Sequence, residues 1–585
     1  MSSLTQTHIR KCLTLIDNPD NLAEPQRLHR LFELEWDYHM VEDPIEATLN
    51  GYPGQNHRWP DWSPAAIARR KENSHVWLRG LKSIDRSKLS REDIVSYDIF
   101  EHYLNDEIEG NGFPAELMPI SQMDGPHQWI AFVTNTMPLF KLADCDDILK
   151  RLKAAPEWFD QTIDLMNDGL SKGVTPPGSI LHDVPQQILN QITEEAADAP
   201  SLAILKKFPS TITSSEQADV RREAESVFRD LLIPAFEKLH KYVAETYLPG
   251  CRDSIACRDL PDGENWYPYL VRSYTTTNMT PDEVFETGQN EVTRIRHLMD
   301  EVIAGTHFKG DFAAFTEFLR TDPQFYHTQA RDLVAEYRDI SKRADPELAK
   351  LFGKLPTLPY GVIPIPSYAE KSQTTAYYQP GSLEAGRPGY YFVNTYDLKS
   401  RPRWEMEPLT LHEAVPGHHL QIALAQELKD LPEFRKKGWV TAYGEGWALY
   451  AESLGTEMGF YTSPYSRFGQ LTYEMWRAVR LMVDVGMHWK GWTRQQAIDF
   501  VMENSGKAEH DVTVEIDRYI VWPGQAIAYK IGELRMQELR ARATKSLGDK
   551  FSIREFHDRI LGNGAMPLSL LENLVDRWIK EKHDQ

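Results

Sequence analysis

Apolar residues recur at three- and four-residue steps through most of the chain, with charged residues between them. That is the pattern of amphipathic helices. Leu28 to Met40 and Arg91 to Ile108 show it, and Ser214 to Tyr247 carries it over a long run that stops at Pro249-Gly250. Asp43 to Trp62, with Pro44, Pro53, Gly54 and Pro60, predicts a loop. Ser121 to Leu139 mixes Gln122, Asp124, His127 and Gln128 with aromatics and reads as packed loop or the wall of a cleft. In Cys251 to Thr277 turn residues give way to alternating, β-favouring ones, which predicts loop and one short strand. Helix resumes at Thr280-Pro281-Asp282-Glu283, a Thr cap with Pro at the first position and Glu at the third, and runs to about Ala304. Asp311 to Arg320 and Thr328 to Leu351 follow as helices. Leu355 to Tyr396, rich in Pro, Gly and Tyr, predicts two or three short strands, among them Thr375 to Gln379 and Tyr390 to Asn394. Arg467 to Trp489 predicts one long helix; Thr513 to Ile520 and Gln525 to Arg542 predict two more, separated at Pro523-Gly524. There is no internal repeat and no low-complexity linker.

One apolar helical run carries chemistry. Leu411 to Leu428, LHEAVPGHHLQIALAQEL, holds His412, Glu413, His418 and His419. A histidine followed by a glutamate, with further histidines up to two turns later, is the outline of a zinc hydrolase site. There imidazoles hold the metal and the glutamate takes a proton from its water. In the usual HExxH spacing the histidines are four apart and share a helix face. Here the candidates lie six and seven after His412, with Pro416-Gly417 between. On an ideal helix a step of seven returns to the same face, which favours His419. If Pro416-Gly417 bulges out as a two-residue insertion, His418 recovers the phase of the second ligand. Proline and glycine inside a helix cost roughly 3 and 1 kcal/mol, so a purely structural helix would avoid them.

Composition narrows the setting. The chain has 585 residues with 65 Lys and Arg against 86 Asp and Glu, a net charge of −21. That balance argues against nucleic acid and against an anionic membrane surface as partners. No apolar run reaches transmembrane length, and Met1 to Asn21 lacks the basic flank and long apolar core of a signal peptide. Cys12, Cys145, Cys251 and Cys257 form no CxxC pair, which fits free thiols in a reducing cytoplasm.

HEAVPGHHLQ resembles the HE-x-x-PGH signature of the family called domain of unknown function 885, whose members are similar to gluzincin-type zinc metallopeptidases. The resemblance extends from DPIEATLNGYPG in the N-terminal part, through YGEGWALYAESLG, to Arg518-Tyr519 and WPGQAIAYKIG, residues 522–532. It implies that the histidine after the glycine, His418, is a ligand with His412. It also implies a third ligand from a downstream helix, Glu445 at the head of EGWALYAE, with Glu452 as an alternative or as a partner of a ligand histidine. A gluzincin also has a tyrosine hydroxyl or a histidine N–H to stabilise the oxyanion, for which Tyr529 and then His488 are the candidates.

The remaining assignments concern substrate. The helix from Arg467 carries Arg477, and Arg480, Asp484 and His488 recur on it at steps of four. Arg477, Arg480 and Arg518 are candidates for a substrate carboxylate, which favours dipeptidase or carboxypeptidase action over aminopeptidase action. Many zinc peptidases bind the substrate backbone along an edge strand, and Tyr390 to Asn394 stands at the right place in the chain, with Tyr391 and Asn394 as contacts. Together these readings imply a mainly α fold. Two helical lobes, 1–250 and 251–585, surround a deep cleft, with a small sheet beside the metal-binding helix. The expected activity is hydrolysis of short peptides with one Zn²⁺ held by His412, His418 and Glu445, and Glu413 as general base. A non-peptide amide such as an N-acyl amino acid is the alternative substrate, and a non-catalytic binding protein with a structural metal is the second alternative.

Overall fold

The capping box that opens the helix after Thr280 forms as its sequence dictates: the Thr280 hydroxyl oxygen accepts from Glu283 N, and the Glu283 carboxylate accepts from Thr280 N. Most of the chain is built of such helices. The computed structural model describes residues 3–18, 22–366, 370, 374–382, 386–429, 431–507 and 509–584. Parts of the Pro/Gly/Tyr-rich stretch, 367–369, 371–373 and 383–385, therefore lie outside the described residues. No helix among the described residues is long and apolar enough to cross a membrane.

The chain divides into two units. One is Met1–Trp266 with Pro432–Lys437, and the other is Tyr267–Leu431 with Gly438–Gln585. The first has no strand among its described residues and centres on the helix Leu142–Lys172, whose Trp158 stacks on Trp59 at 4.6 Å. Arg151 on that helix is fully buried and donates to the carbonyls of Pro44, Gln55 and Arg58 and to the Thr48 hydroxyl. It thereby fastens the segment read from sequence as loop. Part of that segment is a short helix, Pro44–Leu49, because Asp43 accepts from Ile45 N and Glu46 N. The run from Ser214 is continuous helix with two π-turns, Phe228–Leu232 and Val243–Tyr247. Each covers the carbonyl that a following proline, Pro234 or Pro249, would clash with four residues back.

The second unit carries the sheet and the motif residues. The elements that position the site are α1 (Pro281–Gly305), β1 (Tyr360–Pro364), β2 (Ala376–Gln379), β3 (Gly389–Val393), α2 (Met406–Glu413), α3 (His418–Gln426), α4 (Thr441–Leu454), α5 (Pro464–His488), α6 (Glu509–Val521) and α7 (Ala528–Leu547). The sheet order is β1-β3-β2, with β1 parallel and β2 antiparallel to β3. The fold is mainly α, with this small sheet packed through β2 against α2.

Every residue of α5 from Phe468 to His488 is buried, so its charges must find partners inside. Glu474 does so through Lys530 Nζ on α7 at 2.9 Å, and Lys530 also reaches Glu533 at 2.7 Å and Glu291 on α1 at 3.1 Å. Arg294 adds a second cation on Glu291 and Glu474. This buried network ties α1, α5 and α7 together. The α4–α7 crossing is as close as backbones allow, since a Cβ on Gly532 would fall 1.9 Å from the Ala442 carbonyl oxygen. Gly446, opposite it, neighbours Glu445, so the crossing brings the Glu445 and Tyr529 turns together.

Two predictions fail here. Pro126–Thr136, within the stretch read as packed loop, is a helix. Gly263–Thr275 is likewise a helix, not loop and strand. Its alternation of aromatic and polar residues hides a stripe at steps of four, Tyr267, Val271 and Thr275, all fully buried.

Candidate metal centre

The helix that starts at Met406 stops at Glu413, and the next begins at His418. Ala414 N still donates to Thr410 O, but His419 N reaches back five residues to Ala414 O, so the turn between them is widened. The freed Pro416 carbonyl accepts from Trp447 Nε1 on α4 at 2.8 Å. Gly417 is required: a Cβ there would lie 1.8 Å from the His412 carbonyl oxygen. This break sets His418, not His419, opposite His412.

The ligand atoms of His412, His418 and Glu445 all lie within 4.8 Å of one another. Glu445 Oε2 is 3.6 Å from His412 Nε2 and 3.6 Å from His418 Nε2, and the two imidazoles stand at 89°. Ligands about 2.0–2.1 Å from a tetrahedral zinc are separated by about 3.3 Å, so these spacings suit such an ion. The donor chemistry agrees. Glu452 Oε1 lies 2.8 Å from His412 Nδ1, which holds a proton there and turns Nε2 toward Glu445. Glu452 itself is buried, and it is held by Arg477 Nη2 at 3.7 Å and by Tyr461, whose hydroxyl donates to its backbone carbonyl.

The electrostatics follow from this packing. Burial pushes the Glu445 carboxyl up, but His418 and His412 together hold it well below the usual range. Burial alone would lower His412, yet Glu445 and Glu452 raise it to about 9. The centre thus holds a proton that a metal ion would displace. Glu413 is half-buried, and burial raises its carboxyl against the pull of His412 and His418. The backbone N–H of Tyr378 on β2 donates to it.

His419 is engaged elsewhere. Its Nδ1 lies 2.9 Å from the Tyr378 hydroxyl and its ring packs on Tyr360, so it pins β2 and β1 to α3. Nothing in the sequence pairs residues 378 and 419.

The other predicted residues divide. Tyr529 lies in the vicinity: the Glu445 charge, after burial, raises its phenol, and Arg480 stacks over its ring at 4.5 Å. Arg477 donates to the Tyr473 carbonyl and supports Glu452. Arg518 makes two bonds to Glu515, at 3.2 and 2.8 Å, and one to Gln525 at 2.8 Å. Arg480 bonds the Tyr519 hydroxyl and Glu515.

Three expectations are corrected. His488 is fully buried and its Nε2 lies 2.9 Å from the Tyr519 carbonyl oxygen, so it ties α5 to α6 and is not free to meet a reacting oxygen. Strand β3, which contains Tyr390 to Val393, is the central strand and cannot accept another by edge pairing. Tyr391 is fully buried against Tyr337, and the Asn394 amide donates to the carbonyls of Glu370 and Thr374, so both hold the sheet.

Asp484, on the same stripe as His488, also has a supporting role. It accepts from Gly524 N at 3.0 Å and from the Tyr267 hydroxyl at 2.7 Å, and burial raises it to about 7. It anchors the Pro523-Gly524 turn from which α7 and Tyr529 start.

Residues 44–575 match the family model described as "Bacterial protein of unknown function (DUF885)". The chain belongs to this family. As a DUF885 member it is similar to "the putative lipoprotein from Colwellia psychrerythraea", at 26% identity over 96% of this chain and 100% of that one, with a TM-score of 0.90. It is also similar to "a putative lipoprotein of unknown function from Shewanella oneidensis", at 17% identity over 94% of this chain and 99% of that one. That second likeness, with a TM-score of 0.70, is one of fold. No curated protein matches the chain.

Proposed function

We propose that this DUF885 member is a gluzincin-like, zinc-dependent hydrolase of short peptides, with HEAVPGH as its metal motif. The observation that carries the reading is Glu413. It lies next to a ligand histidine and outside the ligand set, and a purely structural metal has no use for such a carboxylate. Structural zinc sites also close with four protein ligands, whereas the cluster among the described residues has three.

A zinc ion held by His412, His418 and Glu445 supplies Lewis acidity and lowers the pKa of a water molecule. The chain's own residues do the rest. Glu413 accepts a proton from the attacking water and delivers it to the leaving nitrogen, so one water and one amide become a carboxylate and a protonated amine. Tyr529 donates from its hydroxyl to the developing oxyanion. Glu452, backed by Arg477, holds the tautomer and orientation of His412. Among the described strands β2 is paired on one side only, by β3, and its Tyr378 N–H already points to Glu413. The substrate backbone therefore extends β2, the role that the central strand β3 cannot play.

The test is cleavage of pooled short peptides and N-acyl amino acids, read by mass spectrometry, for the wild type and Glu413→Gln. Cleavage of peptides by the wild type alone supports the reading. Cleavage of N-acyl amino acids only moves the substrate to non-peptide amides, and equal cleavage by both proteins removes Glu413 from the chemistry.

On location, the four cysteines are free, three of them buried, which favours a reducing cytoplasm. The name lipoprotein carried by the two similar chains favours a place outside it. Cell fractionation decides between them.

A further inference from the structure

Between α5 and α6 the charges do not balance. Arg480 on α5 and Arg518 on α6 share a single carboxylate, Glu515, which accepts from Arg480 Nη2 at 3.3 Å and from Arg518 Nη2 at 2.8 Å. The same carboxylate also accepts from the Tyr519 hydroxyl at 2.6 Å, so its lone pairs are used. Arg480 Nε is spent on Tyr519, but Arg480 Nη1 is buried with no acceptor among the described residues. The residue is only 6% exposed. A guanidinium N–H so placed is costly unless something arrives to accept it.

Its position says where that acceptor comes from. The Arg480 guanidinium lies 4.5 Å over the ring of Tyr529, and Tyr529 is the side chain whose phenol feels the Glu445 charge. The surplus cation therefore stacks on the ring whose turn of α7 crosses α4 next to Glu445. Arg518 reaches the same ring's neighbourhood through Gln525, four residues before Tyr529. A planar guanidinium with one open N–H, next to a second guanidinium, matches a carboxylate better than a neutral amide.

We propose that a free terminal carboxylate of the substrate seats against Arg480 Nη1, beside Tyr529 and Arg518, so that the protein selects peptides or N-acyl amino acids with an unblocked C-terminus. This deepens the hydrolase reading and rests on it for the word substrate, but the anion site itself stands on α5, α6 and α7 geometry alone.

The experiment uses two mixed-sequence tripeptide pools, identical but for a free or an amidated C-terminus. Each is offered to the full-length zinc-loaded protein, and both retention in equilibrium dialysis and cleavage are read by mass spectrometry. The free-acid pool should be retained or cleaved in preference by at least about 100-fold, because a site built for a charged acceptor rejects the analogue that lacks it. Arg480→Gln should collapse that preference, and Arg480→Lys, which keeps the charge but not the fork, should restore part of it. Preference in retention without any cleavage would support the anion site and overturn the hydrolase reading. Cleavage of both pools at equal rates would do the reverse. Equal or absent retention with no cleavage overturns both. The comparison of pools on the wild type stands even if the variants fold poorly.

Discussion

Gly417→Ala should remove the metal centre while leaving the fold in place. The added Cβ would lie 1.8 Å from the His412 carbonyl oxygen and 2.5 Å from the His412 carbonyl carbon and the Leu411 carbonyl oxygen. Carbon and carbonyl oxygen approach no closer than about 3.3 Å. The backbone must therefore open by about 1.5 Å between one proposed ligand, His412, and the residue just before the other, His418. Metal–ligand distances tolerate about ±0.2 Å, several times less than that. Loss of an orienting hydrogen bond alone costs about 10- to 100-fold in metal affinity, so a displaced ligand should cost more than about 100-fold. Helices α2 and α3 each keep their own packing against α4, and α2 also packs on α5, so overpacking at their junction should cost only about 1–3 kcal/mol of stability. Zinc titration against a chromophoric chelator measures the first quantity, and denaturant unfolding followed by circular dichroism measures the second. Gly305→Ala is the control, because a Cβ there meets nothing within 4 Å. If Gly417→Ala bound zinc within twofold of the wild type, the geometric account of the break would be wrong.

Other outcomes follow from the same structure. Glu452→Gln should lower zinc affinity about 10- to 100-fold without unfolding the chain, since it weakens the hydrogen bond to His412 Nδ1 along with the ion pair to Arg477; an unchanged affinity would make Glu452 a packing residue. Lys530→Met should destabilise by about 3–5 kcal/mol in denaturant unfolding, because it removes the buried cation from Glu533 and leaves Glu474 and Glu291 to Arg294 alone. His557 is buried between the Tyr450 hydroxyl and the Leu351 carbonyl, and burial lowers it to about 3. The unfolded imidazole takes a proton below about 6.5 and the folded one does not, so stability should fall as pH drops, by about 1.4 kcal/mol per unit between those values. His557→Phe should flatten that part of the stability–pH curve, and an unchanged slope would show that His557 titrates alike in both states.

What was legible in the sequence was what is written locally. The capping box at Thr280, the long α5 and the spacing of His412, Glu413, Pro416, Gly417 and His418 each depend on residues a few positions apart. The choice between His418 and His419 turned on a backbone break whose shape follows from Pro416 and Gly417. What was not legible depends on partners distant in the chain. His488 looked like a reactive histidine because its partner, the Tyr519 carbonyl, is a backbone group with no sequence signature. Arg477 and Arg480 read as free cations because their partners, Glu452 and Glu515, lie on other helices. Strand β3 was identifiable as a strand, but its central place depends on the parallel pairing of β1, whose Tyr360 lies opposite Gly389. The helix Gly263–Thr275 was missed because aromatic residues that alternate locally also sit at steps of four.

Zinc per chain, measured by elemental analysis on the purified wild type, Glu445→Gln and Glu413→Gln, tests the proposed centre most directly. The account predicts one zinc in the wild type, one in Glu413→Gln, and almost none in Glu445→Gln. A zinc-free wild type, or a fully loaded Glu445→Gln, would contradict it.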